Sequence, residues 1–214
     1  MIEPAVDNAK AVFTIGHSTR TLEQFTRLLK SHGVTRVVDV RTIPRSRHNP
    51  QFNLDTLPAG LGAAGIGYTH LAGLGGLRHP RPDSLNTGWH NLSFRGFADY
   101  MASPQFVHSL GQLIDLAQDD TVAIMCVEAV PWRCHRSLIA DELLVRGYTV
   151  CEIESETRRK THVLTACAKV DGMSITYPAN PSESNSEGVQ ESLWTAEKKE
   201  SAALGHTHIG RSPK

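Results

Sequence analysis

The stretch AVFTIGHSTRTLEQFTRLLKSHGVTRVVDVR (Ala11–Arg41) decides the fold class. Its first six residues form a short β-prone apolar run that stops at Gly16. Thr21 and Gln24 then stand at capping-box spacing. Leu22, Phe25, Leu28 and Leu29 recur at helical period, and Gly33 is a stop signal. Val34–Arg41 reads as a buried strand. Strand, helix and strand in that order predict a β-α-β unit, the seed of a parallel sheet.

Outward from this unit the alternation continues. Leu54–Gly65 reads as a short helix interrupted by Pro58, and Ile66–Leu71 as another strand. From about Ala72 to Leu92 glycines and prolines break every period, which predicts a long loop of the sort that often carries function. SFRGFADYMAS (Ser93–Ser103) and SPQFVHSLGQLIDLAQ (Ser103–Gln118) read as helices, the second with Ser103 as N-cap and Pro104 at its first position. Thr121–Val127 is a strand, Ser137–Gly147 a helix closed by Gly147, and Tyr148–Ile153 a last strand. Beyond about Gly172, Ser, Glu, Asn, Gly and Pro dominate without a period, which predicts a disordered tail. The expected architecture is a single α/β domain over residues 8–170. Its mainly parallel sheet is flanked by helices in a Rossmann-like three-layer arrangement, with a disordered C-terminal tail over 171–214.

Composition bounds the function. The chain has 214 residues, 40% of them apolar and 21% charged, enough for a globular core. Formal net charge is zero, so binding of nucleic acid through bulk charge is not expected and any such role needs a local patch. No run of about 18 apolar residues is present, which predicts no membrane span. The first residues, MIEPAVDNAK, lack a signal pattern. A cytoplasmic location is therefore expected, with Cys126, Cys134, Cys151 and Cys167 as reduced thiols.

Ligands of open α/β sheets bind beyond the carboxyl ends of the strands. Three predicted strand ends carry polar sets: Gly16-His17-Ser18, Asp39-Val40-Arg41, and Cys126 with Glu128. Parallel neighbours would bring all three to one rim. Cys126 lies between a strand and a helix start, near Arg133, His135 and Arg136, where a thiolate would be stabilised. It is the candidate nucleophile, although a cysteine there can also simply pack. Glu128 and His135 are candidates for proton transfer, while Glu128 can instead pair with Arg133 or Arg136 or bond the loop amides. Cys126, Cys134 and His135, completed by His17 or His162, supply soft metal donors, but seven residues between the cysteines is not a zinc-knuckle spacing, and the adjacent Cys134 and His135 are not expected to bind one ion together. No lysine occurs between Ser31 and Arg159, while Arg41, Arg45, Arg47, Arg78, Arg81, Arg95, Arg133 and Arg136 lie in or near the predicted loops. Arginine forks suit phosphate or carboxylate ligands. Tyr68, Trp89, Phe94 and Trp132 could stack a base or cover the core.

The motifs TIGHS, DVRTIPRS, GIGYTHLAGLGG, GFADYM, CVEAVPWRCHRSLIADELLVRGYTVCEI and HVLT, in this order from Thr14 to Thr165, resemble the domain of unknown function 488 family. That resemblance implies a compact α/β domain whose site holds Cys126, Glu128, Cys134, His135 and Arg136. It implies no activity. The layout is also similar to the rhodanese sulfurtransferase plan, with Asp39 and Arg41 in its "DVR", Cys126 at the cysteine position and Arg136-Ser137 at the helix start. The interval from Cys126 to Arg136 is longer than in that plan.

The expected function is enzymatic: a thiol-dependent transferase or hydrolase with Cys126, Glu128, His135 and Arg136 as catalytic candidates. His17, Ser18, Asp39, Arg41, Arg45, Arg133, Cys134 and His162 are the candidates for holding an anionic small molecule or nucleotide. The alternatives are a nucleic-acid or nucleotide binding or processing protein using the arginine loops, and a metal-dependent protein with Cys and His ligands. The sequence names no cofactor and no oligomeric state.

Overall fold

The computed structural model describes residues 11–179. Six strands form one sheet: β1 (Ala11–Gly16), β2 (Arg36–Asp39), β3 (Gly67–His70), β4 (Val122–Cys126), β5 (Thr149–Ile153) and β6 (Arg159–Thr161). Their order is β3-β2-β4-β1-β5-β6, and every pairing is parallel except that of β5 with β6. The helices are α1 (Leu22–Ser31), α2 (Leu57–Ala63), α3 (Leu92–Met101), α4 (Pro104–Asp119) and α5 (Arg136–Val145).

Alternation along each strand sends successive side chains to opposite faces. Phe13, Ile15, Val37, Ala123 and Met125 face α1 and α2, which contribute Phe25, Leu28, Leu29, Leu57 and Leu61. Val12, Val38, Ile124 and Val150 face the other way, onto Phe97 of α3, Phe106 and Leu110 of α4, and Leu138 and Leu143 of α5. This is the expected three-layer α/β arrangement. α1 starts at the expected capping box, with Gln24 N–H on Thr21 Oγ1 (3.1 Å) and Thr21 N–H on Gln24 Oε1 (3.0 Å).

Two expectations are corrected. Pro58 does not interrupt α2; it sits in the first turn, where its missing N–H has no intrahelical partner to lose. Tyr148–Ile153 is not the last strand, since β6 follows, and then a hairpin of β7 (Lys169–Asp171) and β8 (Ser174–Thr176). Ile175 and Tyr177, at the start of the expected tail, are buried against the α3–α5 layer. Strands of three residues are too short for a periodic signal, and the polar composition hid one aromatic anchor. The remainder of that tail, residues 180–214, lies outside the described residues, as do residues 1–10. Among the described residues no helix is long and apolar enough to cross a membrane.

The topology creates a crevice. From β1 the chain passes through α1 to β2, beyond β4. From β4 it passes through α5 to β5, beyond β1. The neighbours β1 and β4 thus send their chains in opposite directions over opposite faces, which is the arrangement that opens a ligand crevice at strand ends.

Candidate functional site

At this crevice the backbone is stitched across the strand ends. His17 N–H donates to Cys126 O (2.9 Å), Ser18 N–H to Val127 O (2.8 Å), and Val40 N–H to Met125 O (3.0 Å). Gly16 permits the approach, because a β-carbon there would lie 1.9 Å from the Glu128 carbonyl oxygen. The three strand ends therefore do meet at one rim. Their side chains, however, part to opposite faces of the sheet.

On the α1–α2 side a closed network forms. The fully buried Asp39 carboxylate accepts from the Arg41 amide N–H, from Nε and Nη2 of Arg41, and from the Tyr68 hydroxyl. Arg41 also donates to Phe52 O (2.7 Å) and, through Nη1, to His17 Nε2 (3.3 Å). The His17 ring stacks on Phe52 at 4.2 Å and donates from Nδ1 to Ser18 O. Burial above all, against the hydrogen bond to Ser18 and helped by the Arg41 charge, lowers the His17 pKa to about 4. The imidazole is neutral, with Nε2 the acceptor. His17, Asp39 and Arg41, expected to hold a ligand, here bond to one another and to backbone. They lock the ends of β1 and β2. Ser18 supplies the turn after β1, with φ at 48°.

On the α3–α5 side lies a cleft of about 280 Å³. Cys126, Glu128, Arg133, Cys134 and His135 line it together with Leu77, Phe94 and Val127. Arg136, 1% exposed, holds the cleft's floor: Nη1 donates to Thr14 Oγ1 (2.9 Å), Nη2 to Glu128 O, and Nε to Cys134 Sγ (3.4 Å). Cys134 Sγ is also 3.8 Å from His135 Nδ1. The His135 ring packs 5.0 Å from Phe97, and its Nε2 reaches Val40 O at 3.1 Å. A hydrogen bond from the Cys126 thiol, followed by His135 and Arg136, holds the Cys134 thiol well below its ordinary range, against the effect of burial. That same bond, with burial, pushes the Cys126 thiol up. Glu128 turns Oε1 back onto the Val130 N–H (3.1 Å) and so braces its own loop.

The remaining candidates lie elsewhere. Arg45 is exposed on the segment after β2. His162 is held between Asp141 Oδ1 (2.9 Å) and Glu152 Oε1 (3.3 Å) and is not part of the cleft lining. Burial lowers its pKa, but the hydrogen bonds and charges of those two carboxylates outweigh this and raise it to about 9. Of the four aromatics considered for stacking, Trp89 and Phe94 pack on each other and on the core, and Tyr68 serves Asp39. Trp132 is 68% exposed. Sequence reasoning missed Thr14, Val40, Gly76, Leu77 and Ser93. The sequence singles out the long loop, but nothing in it says which residues fold over the cleft.

A family model, Domain of unknown function DUF488, matches residues 21–143, more than half of the chain. No curated protein and no solved structure matches it.

Proposed function

We propose a function for this chain, which belongs to the family of Domain of unknown function DUF488, from the chemistry of its cleft. It is a thiol-dependent enzyme, a transferase or hydrolase, acting on an anionic substrate. One observation carries the reading: two sulfurs, an imidazole and a buried guanidinium gather at the end of β4 and the start of α5, in the crevice that the strand order opens. A guanidinium N–H on Cys134 Sγ and the amides of a helix start favour negative sulfur there. Cys126 and Cys134 work as a pair, in place of Cys126 alone. His135 lies within reach for proton transfer, and Glu128 shapes the loop between the two sulfurs. Arg133 is the arginine of the lining and supports the anionic class of substrate, while Leu77, Phe94 and Val127 suit an apolar portion beside the charge.

The test is turnover on a panel of phosphate, sulfate and carboxylate esters and sulfane-sulfur donors. Wild type is compared with Cys126→Ser and Cys134→Ser, each checked for an unchanged fold by circular dichroism. The expected result is turnover of an anionic compound that is lost in both variants. Turnover that survives in both would defeat the proposal.

A further inference from the structure

We infer that Cys126, Cys134 and His135 bind one borderline-soft divalent metal ion, zinc above all, through Sγ, Sγ and Nδ1, with the fourth position open to the cleft. This rests on the reading of the cleft as the working site, and it makes the sulfurs ligands in place of nucleophiles.

Distance is the first argument. The three donor atoms all lie within 4.8 Å of one another, and Cys134 Sγ is 3.8 Å from His135 Nδ1. A tetrahedral zinc ion with its usual bonds to sulfur and nitrogen sets neighbouring donors roughly 3.5–3.8 Å apart. Sequence neighbours can share the ion here because Cys134 is extended (φ −132°, ψ 142°) and His135 is helical (φ −57°, ψ −12°). The nitrogen offered is also the one nearer the backbone.

The second argument is the orientation of His135. A carbonyl oxygen can only accept, so Nε2, at 3.1 Å from Val40 O, carries the hydrogen. In the neutral ring Nδ1 is then a bare lone pair, and it faces sulfur. Histidines that ligate metals are held in this way, with the far N–H given to a carbonyl or carboxylate. Glycine keeps that side of the ring open, because a β-carbon on Gly76 would lie 3.0 Å from Nδ1.

Charge supplies the third. Two thiolates balance a divalent ion, and Arg136, bonded to Cys134 Sγ, leaves the centre net positive. An anionic oxygen therefore suits the open position, where a metal polarises substrate or bound water. Two sulfurs and one imidazole select zinc over calcium or magnesium.

The experiment titrates the reduced, metal-free, full-length chain with zinc against a chromophoric chelator, and with cobalt(II) to read sulfur-to-cobalt absorption. One ion per chain is expected. Cys134→Ala and His135→Ala should each weaken binding by more than the roughly 10–100-fold that loss of an outer partner costs, and Cys151→Ala should bind as wild type. Gly76→Val keeps every donor yet should weaken binding, which covers the case of a His135 variant that fails to fold. Binding unchanged in both His135→Ala and Gly76→Val would overturn the site, as would no zinc above that of a Cys126→Ala/Cys134→Ala protein. If no zinc binds above the Cys126→Ala/Cys134→Ala protein while Cys134→Ser loses turnover, the metal site falls and the thiol reading stands. If zinc binding needs His135 while turnover survives in both serine variants, the metal site stands and the thiol reading falls.

Discussion

Gly16→Ala is the smallest change that probes the rim. Its methyl group would meet the Glu128 carbonyl at 1.9 Å, and that carbonyl also accepts from Arg136. The strand ends must separate, so a loss of about 1–3 kcal/mol is expected, read as a lower urea midpoint. Faster thiol labelling of Cys134 should accompany it. From the sequence Gly16 was legible as a strand stop but not as a contact, because its partner lies more than a hundred residues away. The same holds for His17, Asp39 and Arg41. Their presence at strand ends was legible, but the face they turn to depends on register between strands, and register is set by tertiary pairing. Cys126, Cys134 and His135 were legible as a cluster since they lie within one loop. Their inward geometry depends on Val40, and on Thr14 as the anchor of Arg136, which only the folded sheet brings near.

At the scale of elements, periodicity and caps located the long helices well. α1 and α4 begin at Thr21 and Ser103 as read, because a cap is a local hydrogen bond. The short hairpin β7–β8 escaped, as its stability is not local. It is fastened by Tyr177, which is buried among the α3–α5 residues and donates from its hydroxyl to Asp141 Oδ2 at 3.0 Å. Asp141 also accepts from His162 and from the Thr165 amide, so α5 gathers the whole segment from β6 to β8. Tyr177→Phe leaves a fully buried carboxylate one donor short. It should cost roughly 1–3 kcal/mol, measured as a drop in Tm with no change in far-ultraviolet circular dichroism.

For the whole molecule, His162 makes stability depend on pH. Its folded pKa of about 9 stands above the ordinary 6.5, so the folded state holds the proton more tightly than the unfolded chain. The stabilisation is full below pH 6.5 and is lost as pH rises through 9, by on the order of 3 kcal/mol. Urea midpoints at pH 6 and pH 9.5 check this, and His162→Gln should flatten the difference. The strand order carries a further consequence, for synthesis. β1 and β2 are joined by one helix yet never touch as strands, because β4 lies between them. A nascent chain that has reached residue 119 therefore holds two strands with a vacant slot between their facing edges, and unpaired edges recruit other chains. A fragment of residues 1–119 is expected to aggregate, and supplying residues 120–179 as a second fragment should rescue it, by light scattering. The crevice, which opens between β1 and β4, comes into being only when β4 has been inserted into that slot.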